Sequence, residues 1–400
     1  MAGRRRTTRR DFVRSSGVGL VGTAALSACR REGPSRDVEP RLGRSVVRTL
    51  GRTGLELPVV GMGSSYGIHL VDAALEEGIR YIHTSSSYQE NQHEVLLGRV
   101  FEHRPRSSFA VGTSPDLPYP YGRFRGRSLD LGTGVDTELI HRSIEGSLQR
   151  LQLEYVDIYS LCSIANRETA LFEPYREAFG RLKREGKTRF VGIATRENEP
   201  EVIRAAVESG FWDVVLTAYN FRQSHREEVR AAIREAADAG LGVVAMKTQA
   251  GVYRDRARTR MINQTAALKW VLQDENVHTT IPAFSNINEL REDLSVMEDL
   301  DFTPEEARDL QEVERSAEAG LFCQQCGYCR PQCPLAVEIP TLMRAHMYAV
   351  GHRRPDKARS VLRGFSAGDI GCGDCTTCTV QCALGLDIRP QALEMRELLA

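Results

Sequence analysis

Residues 189–217 read RFVGIATRENEPEVIRAAVESGFWDVVLT, and this stretch contains two predicted strands separated by a helix. The apolar run Arg189–Ile193 predicts a strand. Pro200–Ser209 predicts an amphipathic helix, and Gly210 after it is typical of a helix C-cap. Asp213–Thr217 predicts the next strand. The stretch is therefore one repeat of alternating strand and helix.

The same alternation continues on both sides of this unit, from Arg48 to about Asp301. The other predicted strands are Leu57–Gly61, Arg80–His83, Phe109–Gly112, Tyr155–Leu161, Gly242–Met246 and Thr279–Ile281. The other predicted helices are Asp136–Leu151 (with Leu139, Ile144, Leu148 and Leu151 on one face), Ser224–Ala239, Gln264–Leu272 and Pro304–Ala317. Eight such units in about 255 residues favour an α/β fold of the (β/α)8 TIM-barrel type over an open sheet. We assign residues 48–301 to this barrel.

Length and charge set the limits for the rest of the chain. Four hundred residues with 41% hydrophobic content suit one large domain plus a small one. The formal net charge is zero, so composition gives no reason to expect a nucleic-acid partner. Of the ten cysteines, only Cys29 and Cys162 lie outside two C-terminal runs, which is not a disulfide framework.

The two cysteine runs share the spacing C-x2-C-x2-C-x3-C, and a proline follows only the first. Their members are Cys323, Cys326, Cys329 and Cys333 in the first run, and Cys372, Cys375, Cys378 and Cys382 in the second. Cysteine pairs also bind zinc, and eight cysteines could form four disulfides. A structural zinc site usually uses two separated pairs rather than a fourfold run used twice. The spacing therefore predicts two [4Fe–4S] clusters.

The segment between the runs, Thr341 to Gly364, is predicted to be helical. Residues 302–400 then resemble the helical ferredoxin modules of respiratory reductases, and we predict a linker helix followed by a small helical ferredoxin-like domain. In two-cluster ferredoxins the fourth cysteine of each run ligates the other cluster. The resemblance implies one ligand set of Cys323, Cys326, Cys329 and Cys382, and another of Cys372, Cys375, Cys378 and Cys333.

The N-terminus predicts export. Arg9 and Arg10, followed by Asp11, Phe12 and Val13, resemble the twin-arginine signal, and a mildly apolar stretch follows. That stretch ends in the sequence LSAC at residues 26–29, which resembles the lipobox of bacterial lipoproteins. Residues 1–29 are thus predicted to be a signal segment, with lipid attached at Cys29, and residues 30–47 a flexible tether. An iron–sulfur protein must fold before it crosses the membrane, and the twin-arginine route carries folded cargo.

Phrases spread over residues 48–300 resemble the aldo/keto reductase family. They are LGRTG at 50–54, VGMG at 60–63, SLQRL at 147–151, YVDIY at 155–159, LKREGK at 182–187, AMK at 245–247 and IPAFS at 281–285. The family uses a tyrosine as proton donor, a lysine–aspartate pair that lowers the pKa of this tyrosine, and a histidine that orients the carbonyl. Tyr88 matches the tyrosine, whereas His83, Ser114 and Cys162 replace the aspartate, the lysine and the histidine.

The replacements leave two interpretations open. In the first, His83, Tyr88 and Cys162 form a new catalytic site, with His83 exchanging protons near pH 7 and Cys162 acting as a nucleophile or ligand. In the second, His83 is a hydrogen-bonded filler, Cys162 is a small buried hydrophobe, and Tyr88 serves packing.

The resemblance also assigns nucleotide-binding positions. The phosphate- and adenine-side positions are matched by Ser285, Asn286, Arg291 and Glu292. Asp293 stands where the family often has asparagine, and Lys247 could meet a cofactor phosphate or be a surface lysine. The positions that hold the nicotinamide are changed to Ala194, Thr195 and Leu216, which counts against NADP(H) as the cofactor.

We therefore predict an exported iron–sulfur oxidoreductase of aldo/keto-reductase type. Two [4Fe–4S] clusters would pass electrons to or from a small-molecule substrate at the barrel mouth. The expected partners are a redox protein or a quinone-linked donor, and the membrane through a lipid anchor on the periplasmic or outer face. Two alternatives remain: a non-catalytic barrel that serves as an electron-transfer or binding module, and a cytoplasmic NADPH-dependent reductase.

Overall fold

The described chain begins with a short antiparallel hairpin, β1 Val47–Thr49 and β2 Glu56–Pro58. The computed structural model describes residues 45–65, 67–117, 132–251, 260–315, 323, 329–382 and 385–400. Gly51 in the hairpin loop has φ +47°, and a Cβ there would lie 2.5 Å from backbone atoms of Leu241 and Gly242. Only glycine fits this close approach. The hairpin therefore lies against the N-terminal end of a barrel strand and closes that end of the barrel.

Parallel strands in the described residues form a sheet whose order follows the chain. Its seven strands are β3 Tyr81–His83, β4 Ala110–Thr113, β5 Val156–Leu161, β6 Thr188–Thr195, β7 Val214–Ala218, β8 Gly242–Met246 and β9 Thr279–Thr280. Single bridges pair Val60 with Thr280 and Met62 with Ile82 in parallel. Residues 60–62 thus join the two edges of the sheet and take the place of the eighth strand, which confirms the predicted (β/α)8 barrel.

The first barrel strand lies later in the chain than we predicted. The sequence predicts one strand over Leu57–Gly61, but β2 ends at Pro58 and belongs to the hairpin. Leu57 packs with Leu50, Tyr81 and Val214 in an apolar cluster inside the barrel. The apolar alternation that predicted a barrel strand therefore belongs to the hairpin. Residues 60–62 pair with the two edge strands and complete the barrel.

Helices surround the barrel and bury one apolar face each. They are α1 Ile68–Glu76, α2 Gln92–Phe101, α3 Thr137–Leu151, α4 Arg167–Ala170, α5 Glu173–Arg184, α6 Glu199–Ser209, α7 Arg226–Asp238, α8 Gln264–Leu272, α9 Ile287–Glu298 and α10 Pro304–Arg315. Helix α3 begins at Asp136, whose side chain accepts from the Glu138 N–H. Its buried face contains Ile140, whereas the predicted face contained Leu139, which is only partly buried.

The C-terminal region contains three helices, α11 Ile339–His346, α12 Pro355–Val361 and α13 Ile388–Leu399, in its described part. A π-helical turn, Met347–Gly351, extends α11. The single helix predicted over Thr341–Gly364 is broken at residues 352–354, where Arg353 has φ +51°. Proline cannot continue a preceding helix, so Pro355 starts a new one instead.

No helix among the residues that the structure describes has the length and apolar character needed to cross a membrane.

Candidate functional site

Residues predicted from the sequence to be functional lie at the C-terminal ends of the barrel strands. His83 is the last residue of β3, and Cys162 and Lys247 directly follow β5 and β8. Tyr88 and Ser285 lie in the loops after β3 and β9. Parallel strands of a barrel end at the same face, and active sites of this fold lie there. We call this face the barrel mouth.

His83 is a buried, neutral imidazole. Its side chain lies in the wall of the barrel, with its Nδ1 3.3 Å from the Tyr81 hydroxyl. Burial lowers the pKa of His83 to about 4, so the ring is uncharged at neutral pH. Burial raises the pKa of Tyr81, so this phenol keeps its proton and shares a neutral hydrogen bond with Nδ1. The arrangement favours the filler interpretation of His83 over that of a proton donor.

Tyr88 is held in a strained turn at the mouth. The next three residues, Gln89, Glu90 and Asn91, have φ values of 51°, 55° and 70°. Such left-handed conformations are costly for residues other than glycine, and they persist where the surroundings fix them. The Gln89 Nε2 donates to the backbone oxygen of Ser65 at 2.7 Å and anchors the turn. This geometry keeps the half-buried Tyr88 ring at the mouth.

Sequence reasoning missed His93, which lies beside Tyr88 with ring centroids 6.1 Å apart. The Ser65 backbone N–H donates to its Nε2 at 3.0 Å. The proton of the neutral ring is therefore on Nδ1, which donates to Thr84 Oγ1 at 2.7 Å. Burial, followed by the charge of Lys357, lowers the pKa of His93 to about 4. No sequence motif distinguished this histidine from a surface residue of α2.

The position of the missing catalytic lysine is occupied by a buried hydroxyl. Ser114 is 2% exposed, and its Oγ has no hydrogen-bond partner within the described residues. Its backbone oxygen accepts from Ser86 N and Oγ at 3.0 and 3.1 Å. The Ser65 Oγ is buried in the same unsatisfied state. Buried hydroxyls of this kind are places where a water or a polar ligand completes the hydrogen bonds.

Cys162 is half-buried at the mouth, with its Sγ 3.6 Å from the backbone oxygen of Pro115. It packs beside Met246 and Ile281 against the apolar cluster inside the barrel. These contacts favour the interpretation of Cys162 as a small hydrophobe.

The C-terminal region covers part of the mouth. Lys247 Nζ donates to the hydroxyl of Tyr348, in the π-helical turn, at 3.3 Å. Arg354 Nη1 donates to the Ser285 Oγ at 3.1 Å. Two positions that the family resemblance assigned to a nucleotide therefore contact the C-terminal region.

The same region places a cation beside Tyr88. Lys357 Nζ, in α12, lies 5.1 Å from the centroid of the Tyr88 ring and 5.9 Å from that of Tyr348. Burial is the main cause that lowers the pKa of Lys357. Ser114 replaces the family's lysine in the sequence, but Lys357 places a cation beside Tyr88 from another part of the chain. The sequence pattern could not reveal this contact because the two residues lie in different domains.

A buried ion triad joins the first cysteine run to the barrel. Arg330 follows Cys329, and its Nη1 lies 2.7 Å from Glu197 Oε1 in the loop after β6. Its Nε and Nη2 each lie 3.3 Å from an oxygen of Glu338. All three side chains are nearly inaccessible to solvent. The triad therefore holds the first cysteine run close to the C-terminal end of β6.

Of the remaining positions assigned to the nucleotide, Asn286 has a structural role here. Asn286 is the N-cap of α9, and its Oδ1 accepts from the N–H groups of Asn288 and Glu289 at 3.0 and 3.1 Å. Arg291 and Glu292 are exposed on α9. Asp293, next to them, is buried, and Gln249 Nε2 lies 3.0 and 3.2 Å from its two oxygens.

We expect Asp293→Asn to stabilise the protein above about pH 5. Burial, followed by the charges of Glu292 and Glu289, raises the pKa of Asp293 to about 8. An acid with a raised folded-state pKa contributes stability below its unfolded pKa and loses it as the pH rises towards about 8. Asparagine needs no proton, and about three pKa units between the unfolded pKa and pH 7 give an expected gain of up to about 4 kcal/mol.

Urea midpoints measured from about pH 5 to about pH 8 check this expectation. The wild type should lose stability across that range, and the asparagine variant should not. Glu298→Gln, at an exposed position on the same helix, is the control. A wild-type midpoint that stays constant over the range contradicts the raised pKa.

Five of the described cysteines of the two runs lie in or against a common apolar core. Cys329 and Cys372 are buried in it, and Cys323, Cys333 and Cys382 pack against it. Gln332 links the two runs by hydrogen bonds. Its Nε2 donates to the backbone oxygen of Gln381 at 3.2 Å, and its Oε1 accepts from the Gln381 N–H at 2.7 Å. Cys333 is thereby held beside the second run.

The thiol environment fits iron–sulfur ligation. Burial, followed by the neighbouring Cys333, Cys378 and Cys375, raises the pKa of Cys372 to about 11. Four thiols that repel one another as thiolates are stabilised when iron binds them, because metal ligation takes the deprotonated form. Cys326 lies outside the described residues. Within the described part, no three acidic, histidine or cysteine side chains are arranged to hold a single metal ion.

The fold and these sites define a (β/α)8 barrel of enzyme type joined to a cysteine-rich domain. The aldo/keto reductase family profile matches residues 60–265, more than half of the chain, and the chain belongs to this family. A 4Fe-4S dicluster domain profile matches residues 322–387. The protein is therefore an oxidoreductase of the aldo/keto reductase family with a 4Fe-4S dicluster domain.

Individual relatives agree with this assignment. L-galactose dehydrogenase of Arabidopsis thaliana is 25% identical over 309 residues, which are 67% of this chain and 93% of the relative. NADH-specific methylglyoxal reductase of Escherichia coli is 28% identical over 43% of this chain and 56% of its own length. A solved aldo-keto reductase from Bacillus halodurans in its holo form has the same fold. Its TM-score is 0.54 at 23% identity, and the match covers 67% of this chain and 96% of that one.

Proposed function

We propose that this oxidoreductase passes electrons between a redox partner and a small molecule bound at the barrel mouth. The observation that carries the proposal is the contact of the C-terminal region with the mouth, through Lys357 over Tyr88 and Lys247 on Tyr348. Two [4Fe–4S] clusters held by the eight cysteines would supply one-electron transfer. The protein residues fix the cysteine-rich domain against the mouth and place polar groups around the substrate.

The ligand sets of these clusters are part of the proposal. The proximity of Cys333 to Cys372, Cys375 and Cys378 supports the crossed arrangement, in which the fourth cysteine of one run joins the other three. Cys382 would complete the set of Cys323, Cys326 and Cys329.

Several observations count against NADP(H) as the electron source. Ser285 and Lys247, assigned to the phosphate side, are in contact with Arg354 and Tyr348. Asn286 uses its side-chain oxygen to cap α9. We therefore favour a redox protein or a quinol as the donor.

Donor-specific spectra of the anaerobically purified, oxidised protein test the proposal. NADPH, NADH and a water-soluble quinol are added separately, and the loss of visible iron–sulfur absorbance is followed. We expect the quinol to reduce the protein and the nucleotides to leave it oxidised. Rapid reduction by NADPH, with turnover of simple aldehydes, would instead favour the nucleotide-dependent reductase. Reduction of the protein with no small molecule ever reoxidising it would favour the non-catalytic module.

We also propose that the protein is exported by the twin-arginine route and anchored by lipid at Cys29. The support is the run of arginines and the LSAC sequence; residues 1–44 lie outside the part that the structure describes. We expect Cys29→Ala to abolish lipid labelling and to shift the protein from the membrane to the soluble extracytoplasmic fraction, because a lipid anchor contributes most of the membrane affinity. Cys162→Ala is the matched control. Unchanged fractionation and labelling of the Cys29 variant would refute the anchor.

A further inference from the structure

A tyrosine of the C-terminal region lies between two lysines at the barrel mouth. Tyr348 is half-buried in the π-helical turn, and its hydroxyl is 3.3 Å from Lys247 Nζ. Lys357 Nζ lies 5.9 Å from the centroid of its ring. One lysine belongs to the barrel and the other to α12, so the three groups meet only when the two regions are in contact.

The charged groups around this phenol are nearly all cations. Besides Lys247 and Lys357, Arg344 on α11 faces it, and the His352 ring lies 5.6 Å from its ring. The backbone N–H of Arg354 donates to the backbone oxygen of Tyr348 at 2.8 Å, and the Arg354 guanidinium is already paired with Asp356. Neither lysine forms an ion pair with a carboxylate in the described part of the chain.

The phenol is therefore the group best placed to balance the two ammonium charges. Lys247 is the main cause that lowers the pKa of Tyr348 to about 7; burial opposes it, and Lys357 and Arg344 add to it. His352 stays neutral because burial and nearby cations lower its pKa to about 4. Nearby opposite charge favours the ionised phenol, and a group that titrates near neutral pH suits acid–base catalysis.

Two features of the backbone also point to function at this place. Tyr348 lies in a five-residue π-helical turn, and such turns occur frequently at functional sites. Lys247 has φ +59°, a strained conformation for a lysine, directly after β8. Neither residue therefore occupies a position in a regular α-helix or strand.

We propose that Tyr348 is the proton-transferring group for the small molecule bound at the barrel mouth, with Lys247 and Lys357 stabilising its phenolate. The inference rests on the proposed function for the existence of a substrate, and it specifies that the substrate reacts at a hydroxyl or carbonyl oxygen. It moves the acid–base role from the barrel tyrosine, Tyr88, to the C-terminal region.

The proton step is balanced within the site. When the redox protein or quinol supplies two electrons and solvent supplies a proton to the substrate carbon, a carbonyl oxygen gains negative charge. The O–H bond of Tyr348 then breaks and an O–H bond forms on the substrate. The negative charge remains on the phenolate between Lys247 and Lys357, and solvent later restores the proton. In the reverse direction the phenolate accepts the proton of a substrate hydroxyl. Lys357 lies over the rings of both Tyr88 and Tyr348, and Tyr88 helps to position this shared lysine.

Carbon-13 NMR of the oxidised holoprotein, labelled at the Cζ atoms of its twelve tyrosines, tests the inference. We expect one resonance to titrate with a midpoint near pH 7 and to be missing from Tyr348→Phe. Lys247→Met should move that midpoint upward by about one pH unit or more, because it removes the nearest positive charge. Lys247 is exposed, so this variant keeps the test valid even if Tyr348→Phe folds poorly.

Lys183→Met, which removes an exposed lysine on α5, should leave the midpoint unchanged. A Tyr348 midpoint near 10, or a neutral-pH titration that disappears in Tyr88→Phe instead, would overturn the inference. The measurement needs neither donor nor substrate. It therefore fails or succeeds independently of the donor spectra that test the proposed function.

Discussion

Replacing Arg330 with methionine should lower the stability of the C-terminal domain by about 3–5 kcal/mol, the usual cost of breaking a buried ion pair. Arg330 is buried against Glu197 of the barrel and Glu338 of its own domain. Burial lowers the pKa of Arg330, but the two carboxylates more than offset this and hold it above its ordinary value. Without the guanidinium, both carboxylates remain in a site from which water is largely excluded.

The expected readout is a change in the order of unfolding. In urea, the iron–sulfur absorbance of Arg330→Met should be lost at a lower concentration than the fluorescence change of Trp212 and Trp270, which report on the barrel. Adding Glu338→Gln to this variant should restore part of the loss, because it removes one of the two unpaired charges.

An exposed pair provides the matched control for this variant. Arg204 binds Glu235 through three hydrogen bonds, but both side chains are about half exposed. Arg204→Met should therefore cost less than about 1 kcal/mol. Equal effects of the two substitutions would show that the Arg330 triad is not what joins the domains.

The barrel elements were predictable where the local signals and the tertiary role agree. Strand β8 and helix α8 have the predicted bounds, since the run at Gly242–Met246 is apolar throughout and Asn263 caps Gln264. The first strand was placed too early because Leu57 alternates like a barrel strand yet packs in the hairpin. The break at residues 352–354 was missed because the arginines there are good helix formers.

The site was less predictable than the fold. Sequence motifs identified Tyr88 and the positions of His83 and Cys162, because those positions follow predicted strands. They could not identify Tyr348 or Lys357, since a tyrosine and a lysine in a charged helical segment resemble an ordinary solvated face. Contacts between domains depend on tertiary packing, and no periodicity within one segment encodes them.

Cys333→Ala should remove the same iron–sulfur signal as Cys375→Ala, although Cys333 belongs to the other run. The basis is the position of Cys333 beside the second run: Gln332 is hydrogen-bonded to Gln381, and Thr379 Oγ1 donates to the Gln332 oxygen at 3.2 Å. A crossed fourth ligand is the arrangement of two-cluster ferredoxins. Each variant should retain about four of about eight irons per chain.

Electron paramagnetic resonance of the reduced protein distinguishes the crossed from the uncrossed arrangement. Two interacting clusters give a coupled spectrum, and each variant should show the simpler spectrum of the one cluster that remains. The spectra of Cys333→Ala and Cys375→Ala should match each other and differ from that of Cys326→Ala, which removes the other cluster. If Cys333→Ala instead matches Cys326→Ala, each run ligates its own cluster. In that case the Gln332–Gln381 hydrogen bonds only hold the two runs together.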